Sequence, residues 1–482
     1  MEMRRAFLPI VFVFLSFSAL TGCSGSKFTG SLPGRDGDGT GPKPSQGQAQ
    51  VTSLSPSTIV AGGATFTLTV NGLNFAPTTT VLWNDTTSLT TTYVSSTVLK
   101  AQVPASLIAK PETVDIAPSP LGTFNFVTNF TITTQPLTGN NSFSVSMFPV
   151  QANDMVWDEV NQQLYLSVAS GNGTNANTIT ALNPQNRALG SSISIGSEPG
   201  RLAISQDSTY LYAGSNSANS VRRYTLPALQ SDLDIPLGSE SRGPYYASEL
   251  AVDPHNSHAV AVARGVRGFS PRELGGILIY DDATARSQSV PGTGPGPGPI
   301  DTLLWNPDGK SLYGLDTETS ANGFYTMSVS SAGVHLETQS TIGSSGNALH
   351  SDSTTGYLYS DSGKVINPAT GAVIGSFPFN TIQGGFSSNP IMIPDGRLNI
   401  AYFLGQTVEG GSAGNYALEA FDLTHFTFLG AVPITNVTGI PFRMVRWGSK
   451  GLAFLTGANF GVGGAGDGVY VVSGDFVTSP AP

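Results

Sequence analysis

Residues 201–226 read RLAISQDSTYLYAGSNSANSVRRYTL. The stretch opens on the apolar run Leu202-Ala203-Ile204, turns through polar residues, resumes at Tyr210-Leu211-Tyr212, turns again, and continues from Val221 to Tyr224. Short apolar runs separated by Ser/Asn/Asp-rich turns predict consecutive antiparallel strands. The same cadence recurs along the chain. Its first strands begin at Asp154-Met155-Val156-Trp157, Arg201-Leu202-Ala203-Ile204, Glu249-Leu250-Ala251-Val252, Thr302-Leu303-Leu304-Trp305, Ala348-Leu349-His350, Pro390-Ile391-Met392-Ile393 and Arg443-Met444-Val445. Second strands tend to carry a tyrosine: Leu164-Tyr165-Leu166, Tyr210-Leu211-Tyr212, Ser311-Leu312-Tyr313, Tyr357-Leu358-Tyr359 and Ile400-Ala401-Tyr402. Successive first strands lie about 42 to 53 residues apart.

A repeat of 40–50 residues with four strands per unit is the signature of a β-propeller. Seven copies fill residues 140–479, although six or eight blades remain compatible with so loose a spacing. The last copy has three strands before the chain ends, and the first is preceded by a spare one, Ser142-Phe143-Ser144-Val145-Ser146-Met147. Pairing that spare strand with the last copy would close the ring and hide a sheet edge. The Pro-Asp-Gly turns at 307–309 and 394–396 and the Leu-Tyr cadence resemble YVTN/NHL-type surface-protein propellers and lactonase-like propellers.

Ahead of the repeats, residues 51–135 carry strict alternation: Phe66, Leu68 and Val70 against Thr65, Thr67 and Thr69. This predicts a half-buried strand, and Asn71-Gly72 after it predicts a turn. Further strands are expected at Val81-Leu82-Trp83, Val98 to Val103, Thr113 to Ile116 and Phe124 to Ile132, which together indicate a small β-sandwich. The run Ser53-Leu54-Ser55-Pro56, Ala61-Gly62-Gly63, Val70-Asn71-Gly72-Leu73-Asn74-Phe75, Val81-Leu82-Trp83-Asn84-Asp85 and Val103-Pro104 resembles the IPT/TIG immunoglobulin-like domain. That resemblance implies a spacer or adhesion module. The expected fold class is therefore all-β, an Ig-like sandwich followed by a seven-bladed propeller.

The N-terminus carries Arg4 and Arg5, an apolar run from Ala6 to Leu20, and the only cysteine of the chain, Cys23, in Leu20-Thr21-Gly22-Cys23. A basic start, an apolar segment and small residues before a cleavage point mark a secretory signal. The four residues at its end resemble the lipobox of bacterial lipoproteins, which implies a signal peptide over 1–22 and lipidation of Cys23. The resemblance further implies attachment to a membrane of the cell envelope, with Ser24 consistent with the outer membrane or cell surface. Residues 24–50, rich in Gly, Ser and Pro, predict a flexible tether spanning roughly 30 Å. Segment 23–50 thus joins anchor to sandwich.

Composition narrows the function. The formal charge is −10, and removal of Glu2, Arg4 and Arg5 with the signal would make it −11, so nucleic acid is not an expected partner. With Cys23 consumed, no thiol remains for disulfides or thiolate–metal sites. No phosphate loop, dinucleotide fingerprint or nucleophile elbow stands in a strand–turn–helix setting, and neither cofactor nor metal is implied. Of the five histidines, His255, His258, His335, His350 and His425, only His350 lies where it could reach a propeller channel.

Residues just ahead of the inner strands should ring one mouth of that channel. They are Asp154, Arg201, Glu249, Asp301, Asn347, Asn389 and Arg443, the candidate binding column. The competing expectation is that these are solvated residues spread around a wet channel. Two functions from different classes remain. One is a lipid-anchored binding or adhesion protein whose propeller takes a protein or glycan. The other is a lactonase-like hydrolase or lyase, with Glu249, Asp301 or Asp154 as acid or base and Arg201 or Arg443 at an oxyanion.

Overall fold

The computed structural model describes residues 47–60, 64–108, 112–120, 128–133, 143–173, 175–196, 198–269, 273–292, 300–343, 346–379, 382, 390–407, 415–457 and 468–479. The signal segment, Cys23, most of the tether and Asn389 lie outside these residues. Among the described residues there is no α-helix, only single 3-10 turns such as Ala105–Ile108 and Asp475–Val477.

The first eight strands form an Ig-like sandwich. Gln50–Ser55 pairs with Phe66–Leu73, which pairs with Val98–Val103. Thr80–Trp83, Glu112–Ser119 and Thr128–Thr133 make the other layer, with Thr58–Val60 added in parallel. Thr87–Ser95 belongs to both: its start pairs with Thr80–Trp83 and its remainder with Val98–Val103. As the alternation requires, Leu68 and Val70 are buried, where they join Trp83, Leu99, Ile116 and Phe130 in one core. The Asn71-Gly72 turn is a correction. The strand runs through both residues to Leu73, and the left-handed residue is Asn74, at φ 59°. Gly72 serves close approach instead. A Cβ there would stand 2.0 Å from the Gln50 carbonyl oxygen and 2.3 Å from the Phe75 ring.

From residue 144 onward the chain forms seven antiparallel sheets arranged as the blades of a propeller. Blade 1 runs Ala152–Asp158, Gln163–Val168, Thr178–Asn183 and Ala188–Ser194. Each later repeat supplies the next sheet in order, the fifth being the smallest, with strands of three or four residues. The seventh combines Ile440–Trp447, Gly451–Gly457 and Val469–Ser473 with Ser144–Phe148. That last pairing runs antiparallel from Val469 opposite Phe148 to Ser473 opposite Ser144. The spare N-terminal strand therefore closes the ring.

The Leu-Tyr cadence has a packing cause. On each second strand the tyrosine points away from its own blade's neighbour behind and into the blade ahead. Tyr165 packs with Leu202 and Leu211 of blade 2, Tyr212 with Val260 and Val262 of blade 3, and Tyr313 with Leu349 and Leu358 of blade 5. Tyr359 meets Ala401 and Phe403 of blade 6, and Tyr402 meets Leu452 and Phe454 of blade 7. Blades 3 and 7 place Ala261 and Ala453 at the same step. Burying an aromatic ring contributes about 1.5–3 kcal/mol, so the repeat of one residue type glues successive blades. Burial also pushes the phenols of Tyr165 and Tyr359 up to about 12, with the Asp158 carboxylate adding to the effect at Tyr165. A polar clasp reinforces the joint between blades 2 and 3, where Arg223 reaches Asp232 at 2.5 Å and Asp282 at 2.6 Å.

If Ser144–Phe148 closes the ring, a chain beginning at Asp154 leaves the edge of Val469–Ser473 bare. Calorimetry and light scattering should show it melting well below a chain beginning at Asn140, and aggregating. Equal melting of the two would remove the closure.

Candidate functional site

The first strands of blades 1, 2, 3 and 7 share a local irregularity at the candidate column. Register shifts fall between Ala152 and Asp154, Pro199 and Leu202, Ala247 and Glu249, and Pro441 and Arg443. A bulge gives one strand an extra residue and re-aims its side chain. Asp154, Arg201, Glu249 and Arg443 therefore sit within the inner strands at bulges, not in loops ahead of them as the sequence implied. Asp301 and Asn347 do precede their strands, Thr302–Trp305 and Leu349–Ser351.

These inner strands surround a cavity of about 460 Å³. Arg201, Glu249, Asn347 and Arg443 line it, and His350 joins them. Apolar walls come from Leu250, Leu303, Ile393, Phe442 and Met444, so six of the seven blades contribute to one central chamber. Two residues of the expected column do not line it. Asp154 is fully buried beneath the wall, and Asp301 is nearly so. Asn389 lies outside the described residues.

Asp154 is buried because its carboxylate is used up by the frame. Oδ1 lies 2.9 Å from Arg443 Nε and accepts the Met155 N–H at 2.8 Å. Oδ2 accepts the Leu202 N–H at 2.9 Å. One carboxylate thus ties blades 7, 1 and 2 together, on either side of the seam where the ring closes. Asp301 is held in a similar way: Oδ2 accepts the Thr317 N–H at 3.0 Å and its hydroxyl at 3.3 Å.

Arg201 and Glu249 face the chamber together, with Nε 3.9 Å from Oε2. The Arg201 Nε–H donates to the Ser248 carbonyl at 3.2 Å, and Glu249 Oε1 accepts the Leu250 N–H at 3.1 Å. Burial acts to lower the Arg201 pKa, but Glu249 and then Asp154 outweigh it and hold the guanidinium above its usual range. It stays charged throughout. On the opposite wall His350 Nε2 lies 2.9 Å from Asp361 Oδ1. Asp361, almost wholly buried, also accepts the Met392 N–H of the next blade at 3.0 Å.

The column therefore resolves into three oriented pairs: Arg443 with Asp154, Arg201 with Glu249, and His350 with Asp361. The Arg201 guanidinium lies in the field of Asp154 and Asp301 as well as of Glu249. Among the described residues no group of three or more His, Cys, Asp and Glu is placed to hold a metal. The sequence reading missed Asp361, Thr317 and Glu318. An Asp directly after the second strand, as in Leu315-Asp316 and Ser360-Asp361, was the available signal.

Comparison with known proteins adds the following. Residues 49–144 match the IPT/TIG domain. No curated protein matches the chain. Among solved structures, the Myceliophteria thermophila Cps50 (Swd1) beta-propeller domain is similar at 11% identity and TM-score 0.46, covering 68% of this chain and 99% of that one. A quinonprotein alcohol dehydrogenase-like protein from Bacteroides thetaiotaomicron is similar at 12% identity and TM-score 0.39, covering 78% and 94%. Kuenenia stuttgartiensis hydrazine synthase is similar at 12% identity and TM-score 0.32, covering 64% and 75%. The chain thus carries an IPT/TIG Ig-like domain ahead of a seven-bladed β-propeller.

Proposed function

We infer that this chain is a lipid-anchored binding protein of the cell envelope. Its IPT/TIG domain is the spacer, and its propeller presents the central chamber to a protein or glycan ligand. One observation carries the reading. The chamber is wide, mixed in polarity and walled by six blades, and Arg201, Glu249, His350 and Arg443 on its wall are engaged in pairs. Such a site offers fixed donors and acceptors beside apolar wall, which is the make-up of a recognition pocket. Acid–base catalysis would instead call for titratable groups converging on one reacting atom. The anchor rests on the Leu20-Thr21-Gly22-Cys23 motif and the polar tether after it.

The hydrolase or lyase reading keeps one support, the His350–Asp361 pair on the chamber wall. A buried carboxylate orients an imidazole there, as a general base requires. Screening the full chain against glycan and peptide arrays and against a lactone and ester panel separates the two. Binding to an array member that weakens at least tenfold in Arg201→Gln or Glu249→Gln, with no turnover, is the expected result. Turnover abolished by His350→Ala would establish the enzyme instead.

Two further outcomes follow. Cys23→Ser should leave the membrane fraction for the soluble one, or accumulate as uncut precursor, because stable hold requires more than one acyl chain. Normal processing with unchanged membrane association would refute the anchor. Asp154→Asn should cost about 3 kcal/mol of stability, since it strips the Arg443 guanidinium of its buried partner. The loss is read as a lower melting temperature, whereas a change in ligand affinity alone would make Asp154 part of the binding surface.

A further inference from the structure

Arg201 and Arg443 stand on either side of blade 1, at bulges in the first strands of blades 2 and 7. Both are held by Nε, the inner edge of the guanidinium. From it Arg201 donates to the Ser248 carbonyl at 3.2 Å, and Arg443 sets it 2.9 Å from Asp154 Oδ1. Both also gather about the same carboxylate, since Arg201 lies in the field of Asp154 as well as of Glu249. Accessibility is divided unevenly within the pairs. The arginine side chains are 31% and 26% exposed, whereas Glu249 is 9% exposed and Asp154 not at all. What each pair presents to the chamber is chiefly its cation.

The rest of the wall decides what can accompany an anion there. Leu304, Ile393 and Val445, from blades 4, 6 and 7, are partly accessible and line the cavity. Val445 follows Arg443 by two residues on the same strand, so it faces the same way and lies roughly 7 Å further along. A guanidinium and an aliphatic surface are thus set one strand step apart. Enclosure decides the size. About 460 Å³ within walls drawn from six blades admits a small ligand or the end of a chain, and not a folded face.

We propose that the chamber takes the carboxyl-terminal end of a polypeptide, its terminal carboxylate held by the outer N–H edges of Arg201 and Arg443 and its last apolar side chain laid on Leu304, Ile393 and Val445. This ligand presupposes that the chamber is a recognition pocket. A guanidinium fork matches a carboxylate bidentately, and both forks are fixed by the frame before the ligand arrives. Capture of a chain terminus by preset donors is a recurring mode of peptide recognition. A polyanion fits less well, because Glu249 and Glu318 line the same chamber and repel a second negative charge. A sugar ring fits less well too, since Phe442 is the one phenyl ring of the wall among the described residues.

The test uses the full chain and labelled pentapeptides ending in Leu, Val, Ile or Phe, each made as the free acid and as the C-terminal amide, with binding followed by anisotropy. At least one free acid is expected to bind ten times or more tighter than its amide. Arg201→Gln should bring that acid down to the affinity of the amide and leave the amide nearly unchanged. Arg201→Lys should recover part of the difference, since charge is kept and the planar fork lost. Leu304→Asn should weaken acid and amide alike. The acid-to-amide comparison on the unaltered chain needs no variant, so it stands even if one fails to fold. Equal binding of acid and amide, or an acid preference that survives Arg201→Gln, overturns the carboxylate contact; where Leu304→Asn still weakens both, the chamber remains the binding site. A glycan bound through Arg201, with no peptide bound, overturns the peptide end and likewise keeps the chamber. If no probe responds to Arg201→Gln or Leu304→Asn, both the ligand and the recognition pocket are overturned.

Discussion

The propeller exists as a closed object because five residues near its start, Ser144–Phe148, pair with a strand near its end, Val469–Ser473. Every other blade is built from one continuous stretch of chain. Without this pairing the seventh sheet would have three strands and a bare edge. The contact joins residues more than 320 positions apart (469 − 148 = 321), so its chain entropy cost must be met by what the closed ring then permits. What it permits is packing of each blade on the next, with a second-strand tyrosine filling the space at five joints and an alanine at the other two.

Asp154 sits beside that seam and shows how closure and site formation are linked. Its carboxylate accepts hydrogen bonds from its own blade and from blade 2 while it pairs with Arg443 of blade 7. A buried carboxylate is costly unless it is paired and hydrogen-bonded, and here both of its oxygens are engaged. The same pair turns the Arg443 side chain to the chamber wall. The chamber is thus a by-product of the frame: the bulges that aim charged residues inward also let them bond across blades. Asp361 repeats the device between blades 5 and 6, and His350 inherits its orientation from it.

Two parts of the propeller differ in character. The chamber presents paired charges within apolar walls, and blade 3 presents Arg264 and Arg267 stacked on Tyr245 and Tyr246. In the chamber Arg201, Glu249, His350 and Arg443 stand on inner strands, which keeps these side chains in place before any ligand arrives. The core of the Ig-like domain is a compact aromatic and aliphatic cluster around Trp83 and Phe130, whose rings lie 5.6 Å apart.

Much of this was legible in the residues. The 42-to-53-residue cadence fixed the blades, the spare strand at 144 fixed the closure, and Phe66, Leu68 and Val70 marked the sandwich, because buried inner strands must be apolar on a regular period. Outer strands such as Ala188–Ser194 left no such pattern, since nearly all their side chains face water. The column of polar residues was also legible as a set drawn from different repeats. Which of them line the chamber was not. Bulges and cross-blade hydrogen bonds turn Asp154 inward to the frame and leave Arg201 and Glu249 facing the cavity, and both depend on neighbours about 50 residues away. Local sequence sets the periodic burial that makes a strand. Only the closed ring decides the direction of a charged side chain, because the partner that stabilises it belongs to another blade.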